Sequence, residues 1–150
     1  MRIDGRLAAL PLRVRPLLVV AAGVERCAGQ VESVAGQAVA DVVRRLVQED
    51  HVLCSSAVSV LEAGFSARSR AEHGEIITHL TGGFELLPFS GATGRLAIAM
   101  QAALFDSGQG RAVGATDLLS AGCALEHDAL LLHYDADFDT LAEVWPEFRH

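Results

Sequence analysis

Four carboxylates stand out by where they fall in the chain: Glu62, Asp117, Asp135 and Asp137. Each follows or lies near a short apolar run with strand character. Open parallel sheets bind ligands outside the carboxyl ends of their strands. Carboxylates gathered at one such edge repel one another unless a hard divalent cation neutralises them, so their convergence would imply Mg²⁺ or Mn²⁺.

Each acid also has a purely structural reading. Ser59-Val60-Leu61-Glu62 fits the S-x-x-E capping box, in which Glu62 ties back to the Ser59 backbone, and taken alone that reading is the stronger one. Asp117 follows Thr116, a helix-cap residue, and an acid in a first turn gains about 0.3–1 kcal/mol from the helix dipole. Asp135, Asp137 and Asp139 alternate after Leu130-Leu131-Leu132-His133, a pattern shared with turns and caps. Two sharper readings of that alternation fail. A calcium loop wants Gly at its sixth position and Glu at its twelfth, where this chain has Thr140 and Pro146. A phosphatase Asp nucleophile needs most of its fold downstream, and thirteen residues follow Asp137.

The six histidines are scattered. His73 and His79 share no helix face, which argues against a zinc site there, and His127 and His133 bracket the last predicted strand and read as structural. No Gly-rich phosphate loop, G-x-S-x-G elbow or Ser/His/Asp order can be defended.

The elements that must position the acids follow from the apolar pattern. Leu17-Leu18-Val19-Val20-Ala21-Ala22 is a continuous run of strand length, as expected for a strand covered on both faces. Apolar residues at helical spacing predict an amphipathic helix over residues 31–48. His51-Val52-Leu53-Cys54 reads as a strand, Ser59 opens a helix running toward Arg70 or beyond, and residues 71–80 form a polar helical stretch. Gly82-Gly83 breaks the chain before a strand at Phe84-Glu85-Leu86-Leu87-Pro88. Leu96, Ala99, Met100, Ala103 and Leu104 line a helix that stops near Ser107-Gly108, and residues 108–114 form a flexible connector. Thr116 caps a helix from Asp117 to about Glu126, residues 129–133 form the last strand, and residues 138–144 the last helix. Strands alternating with helices predict an α/β fold with a mostly parallel sheet wrapped on both faces.

A chain of 150 residues predicts one domain. At 51% hydrophobic and 21% charged it is no disordered chain. The net charge of −7 argues against holding duplex DNA by a general positive field. That charge is uneven: residues 1–16 hold four Arg and one Asp, net +3, whereas residues 117–150 hold eight acids and one Arg, net −7. Cys27, Cys54 and Cys123 form no CxxC pair and read as reduced, buried hydrophobes of a cytoplasmic protein. The run after Arg13 and Arg15 is too short for a secretory signal, and none approaches the roughly 18 apolar residues of a membrane span.

Four segments in register carry a family resemblance: Val58-Ser59-Val60-Leu61-Glu62-Ala63-Gly64-Phe65-Ser66-Ala67-Arg68-Ser69, Phe84-Glu85-Leu86-Leu87-Pro88, Gly108-Gln109-Gly110-Arg111-Ala112-Val113-Gly114-Ala115-Thr116-Asp117-Leu118-Leu119, and Leu132-His133-Tyr134-Asp135-Ala136-Asp137-Phe138-Asp139. Together they resemble a PIN-domain ribonuclease of the VapC toxin type. The resemblance implies a PIN-like three-layer α/β fold over residues 1–150, with residues 1 to about 50 poorly matched. It also implies a toxin that cleaves RNA with Mg²⁺ or Mn²⁺, binds a cognate antitoxin and forms a homodimer in the cytoplasm. Glu62, Asp117 and Asp135 would be the catalytic acids and, with Asp137 beside them, the metal ligands. Arg68 and Arg111 are candidates to meet the RNA backbone. The family's acid at the end of the first strand has no clear counterpart, because Leu17 to Val20 runs into Ala21-Ala22-Gly23 and only Asp4 and Glu25 stand near. The alternative is therefore a catalytically impaired PIN domain that binds an antitoxin or itself.

Overall fold

In a computed structural model, residues 17–20, 34–133 and 135–150 are described. Their elements are β1 (Leu17–Val20), α1 (Val34–Gln48), β2 (Val52–Ser56), α2 (Ala57–Phe65), α3 (Arg70–Gly83), β3 (Glu85–Leu87), α4 (Gly91–Asp106), α5 (Ala115–Glu126), β4 (Leu130–Leu132) and α6 (Ala136–Val144). Ala21 and Ala22 of the expected first strand, the expected helix start at residues 31–33, the basic opening segment with Asp4, and Glu25 and Cys27 lie outside the described residues.

All four strands run parallel, in the order β3-β2-β1-β4. Strands β1 and β4 are apolar on both faces because both faces are covered, whereas the edge strand β3 exposes Glu85 and Leu86. Val19 of β1, Cys54 of β2 and Leu131 of β4 point into the main core with Met100 and Leu104 of α4, Ala121 and Cys123 of α5 and Leu141 of α6. Their neighbours Val20 and Leu132, directed to the opposite face by the strand's period of two, pack with Leu46 of α1. This is the three-layer arrangement expected. Among the described residues no helix is long and apolar enough to cross a membrane.

Glycine decides one close contact in the core. A Cβ at Gly122 of α5 would lie 2.7 Å from the Thr93 carbonyl of α4, so these helices approach as closely as they do because residue 122 has no side chain.

The helix boundaries depart from expectation where two cap residues compete. Ser56, not Ser59, is the cap of α2: its hydroxyl accepts from the Ser59 N–H at 3.1 Å, and the two hydroxyls lie 3.0 Å apart. Both serines have cap chemistry, but Ser56 sits where the chain leaves the buried sheet, and the helix starts there. That helix stops at Phe65, and Ser69 caps a separate α3 through the Glu72 N–H. Gly82-Gly83, expected to break the chain, end α3 from within. Gly114 rather than Thr116 is the cap of α5, and α6, capped by Asp135, begins at Ala136, two residues before the expected start. The 108–114 connector is held by turn bonds, Gln109 N–H to Leu104 at 2.8 Å and Ala112 N–H to Gln109 at 2.8 Å, with Val113 buried. Cys54 and Cys123 are buried, as expected.

Candidate active site

The sheet order places β1 between β2 and β4, a reversal of strand order of the kind at which open parallel sheets bind ligands, at the carboxyl ends of their strands. Each acid is delivered to that edge by its own element. Leaving β2, the chain turns directly into α2, whose buried face carries Ser59, Val60, Ala63 and Gly64. Glu62 stands beside that face and is half-buried. With Ser59 inside the helix, the capping-box reading of Glu62 is set aside.

Asp117 comes from the opposite direction. Because α5 leads into β4 of a parallel sheet, it runs back across the sheet and its first turn lies at the carboxyl edge. Asp117 occupies that turn, half-buried, and accepts a hydrogen bond from the Gly114 N–H. A Cβ at Gly114 would lie 3.0 Å from its Oδ2, so glycine leaves room for the carboxylate. Asp135 follows β4 and is exposed; its Oδ1 accepts from the Asp137 N–H at 3.1 Å and so fixes the start of α6.

Electrostatics place Asp117 within reach of the charges of the other three acids. Burial pushes the Asp117 carboxyl up to about 6, and the charges of Glu62, Asp135 and Asp137 push in the same direction, against the Gly114 hydrogen bond. Asp137 is also raised, by burial and then by Asp135. An acid raised by neighbouring carboxylates, as Asp117 is, lacks a compensating positive charge beside it. The donors are carboxylate oxygens throughout, which suits a hard divalent cation such as Mg²⁺ or Mn²⁺.

The two arginines differ in surroundings. Arg68 is exposed and pairs with Glu72 at 3.4 Å, while Glu72 also accepts the Arg68 backbone N–H at 2.8 Å. Arg111 is exposed. A second gathering escaped the sequence. His133 Nε2 lies 2.8 Å from His150 Nδ1, and Asp139 Oδ1 lies 3.6 Å from the same nitrogen. Seventeen residues separate the histidines, and no local spacing signals their meeting.

Comparison with known proteins follows the same lines. The family model described as PIN domain matches residues 31–144. Ribonuclease VapC51 of Mycobacterium tuberculosis is 36% identical over 106 residues, 68% of this chain and 75% of that protein. Ribonuclease VapC21 of the same organism is 33% identical over 98 residues, 65% of this chain and 71% of that protein. Among solved structures, VapBC2 from Rickettsia felis bound to a promoter DNA fragment superposes with a TM-score of 0.70 at 14% identity, over 89% of this chain and 96% of that one. FitAcB from Neisseria gonorrhoeae gives 0.61 at 14% identity, over 85% and 94%. At such identities the structural likeness speaks to the fold.

Proposed function

The chain belongs to the VapC family of PIN-domain ribonucleases, and on that premise we propose that it is a metal-dependent endoribonuclease, the toxin of a VapBC-type toxin-antitoxin pair. The observation that carries this reading is the gathering of Glu62, Asp117, Asp135 and Asp137 at one edge of the sheet.

Asp117, Glu62 and Asp135 would hold Mg²⁺ or Mn²⁺, with Asp137 beside them. When bound, such a cation polarises the phosphodiester, lowers the pKa of a bound water and stabilises charge on the leaving oxygen. The chain's own residues supply the arrangement. Asp117 is fixed by the Gly114 N–H and by the positive end of α5. One Asp135 oxygen is engaged by the Asp137 N–H, which orients the carboxylate and leaves its remaining lone pairs for the site. Glu62, on a helix anchored by the Ser56 cap, accepts hydrogen bonds from water approaching the phosphate.

A cognate antitoxin and a homodimer are the proposed protein partners, and the cytoplasm the proposed location. Exposed apolar side chains support a protein partner: Leu61 and Phe65 lie one turn apart on α2, with Phe65 88% exposed, and Ile98 and Phe105 lie two turns apart on α4.

One observation favours the second reading, an impaired PIN domain that binds an antitoxin or itself. β1 ends at Val20, paired with Leu132 of β4, and the sequence continues Ala21-Ala22-Gly23, so the acid that the family carries after its first strand has no direct counterpart. Cleavage of several RNAs in Mg²⁺ or Mn²⁺, wild type against Asp117→Ala, decides between the two. Metal-dependent cleavage by wild type alone supports the nuclease; no difference between the proteins sinks it.

A further inference from the structure

We propose that His133, Asp139 and His150 form a second cation site, suited to a borderline divalent ion of the Zn²⁺ type and separate from the carboxylates assigned to RNA cleavage. Three segments bring these side chains together. His133 directly follows β4, and Asp139 stands in the first turn of α6. His150 arrives on a C-terminal segment that folds back along β4, where the Leu131 N–H donates to the Arg149 carbonyl at 3.0 Å. Neighbouring contacts pin that segment. Phe148 is buried against Phe138 in the main core, and the Arg149 guanidinium donates to the Asp128 carbonyl at 2.7 Å and to its carboxylate. The His150 ring stacks on Phe148 at 5.6 Å, while the His133 ring packs on Phe138 at 4.9 Å.

The donor atoms lie near the spacing of a coordination shell, which a small adjustment of the rings would complete. His133 Nε2 and His150 Nδ1 are 2.8 Å apart, His150 Nδ1 and Asp139 Oδ1 are 3.6 Å apart, and all three donors lie within 4.8 Å of one another. Tetrahedral zinc, with bonds of about 2.0–2.2 Å to nitrogen and oxygen, separates neighbouring donors by about 3.3–3.5 Å. The two shorter separations bracket that value. Two imidazoles and one carboxylate favour Zn²⁺ over Mg²⁺, and three protein ligands leave a fourth position for water.

Protons do not satisfy this cluster. His133 Nδ1 accepts the Asp135 N–H at 3.3 Å, which puts the ring proton on Nε2, donated to His150 Nδ1. That bond occupies the Nδ1 lone pair of His150, so this nitrogen has no proton to offer Asp139 Oδ1. One proton thus serves both imidazole nitrogens, and the exposed Asp139 carboxylate is left to water. A cation among them satisfies all three, and in exchange the His133 proton moves to Nδ1 and the long contact with the Asp135 N–H is lost. Occupancy would tie the C-terminal segment to the β4–α6 corner and stabilise the folded chain by mass action.

Titration of the metal-free full chain with Co²⁺ and then Zn²⁺, followed by visible absorption and thermal unfolding, tests the site. The expected result is one equivalent of Co²⁺ with the intense bands of a four-coordinate ion, displaced by Zn²⁺, and a rise in Tm on saturation. Asp117→Asn should retain both, since the site does not use the acidic edge. His150→Gln and Asp139→Asn should each weaken Zn²⁺ binding at least about 10-fold, with unchanged far-UV circular dichroism. Only a weak six-coordinate spectrum, loss of binding in Asp117→Asn, or unchanged affinity in the exposed Asp139→Asn variant overturns the proposal. RNA cleavage is not the readout, so the nuclease reading stands or falls separately.

Discussion

At the carboxyl end of β4, two groups of candidate metal-ligating side chains share one turn. Asp135 and Asp137 join Glu62 and Asp117 in a set that offers only oxygen, whereas His133 and Asp139, flanking those acids in sequence, join His150 in a set that is two-thirds nitrogen. The two sets differ in donor chemistry, all oxygen in one and mostly imidazole nitrogen in the other, so they call for different cations. Their supports differ as well. Glu62 and Asp117 rest on α2 and α5, which belong to the body of the fold, whereas the histidine corner depends on the segment through His150, held by the buried Phe148 ring, the Arg149 guanidinium and a backbone bond to Leu131.

That difference in support gives the largest expected effect. Phe148, 4% exposed, is the anchor of the terminal segment, and Phe148→Ala should cost about 3 kcal/mol in denaturant unfolding. It should also abolish the Co²⁺ response of the histidine corner. Retention of that response in the folded variant would show that the corner does not need the segment.

Next in size, Asp117→Ala should lower metal-dependent RNA cleavage about 100-fold or more, read as initial rates at saturating Mg²⁺ or Mn²⁺. Under the same conditions Asp139→Asn should cleave as wild type does. Equal losses in both variants would mean that the turn works as one site rather than two.

A smaller effect separates the sets by pH. The Asp117 carboxyl titrates near 6 in the folded chain against 3.8 ordinarily, so the folded state holds this proton more tightly than the unfolded one. Its contribution to stability is present below about pH 4 and is lost as pH rises through about 6. Without metal, Asp117→Asn should remove that decline and gain about 1–2 kcal/mol at pH 7, allowing for partial exposure. Divalent cation should offset the same decline in wild type, by about 2.7 kcal/mol at a hundredfold excess over Kd. Unfolding curves at pH 4 and pH 7 measure both.

The smallest effect is the sharpest discriminator. Asp139→Asn, at an exposed position, should change stability by less than about 0.5 kcal/mol without metal yet reduce the rise in Tm that Zn²⁺ produces. A full Zn²⁺ response in this variant would remove the carboxylate from the histidine corner.

Legibility in the sequence followed how local each signal was. The apolar run at β1 and the helical spacing through Leu96, Met100 and Leu104 announced buried elements, because the period of burial is written in neighbouring residues. Helix starts shifted by two or three residues where Ser56 competed with Ser59 and Gly114 with Thr116, since several residues there have cap chemistry and the exit from the sheet chooses among them. Glu62 shows the same limit: its motif fitted a capping box, and the position of Ser59 inside α2 freed it. The acids that the structure gathers were identified through their place after strands and the family resemblance. The histidines were not, because His150 reaches His133 only through the return of the C-terminal segment along β4.

By itself, the sequence determined the alternation of strands and helices and the buried character of the central strands, and it marked Glu62, Asp117, Asp135 and Asp137 as the candidate acids. Tertiary structure alone decided that Asp117 meets Glu62, Asp135 and Asp137 closely enough to shift its ionisation, and that His133, Asp139 and His150 share one small space. The physical reason is range. Hydrophobic period and cap chemistry act between residues a few positions apart, whereas Coulomb repulsion and coordination act on distances that only the folded chain creates.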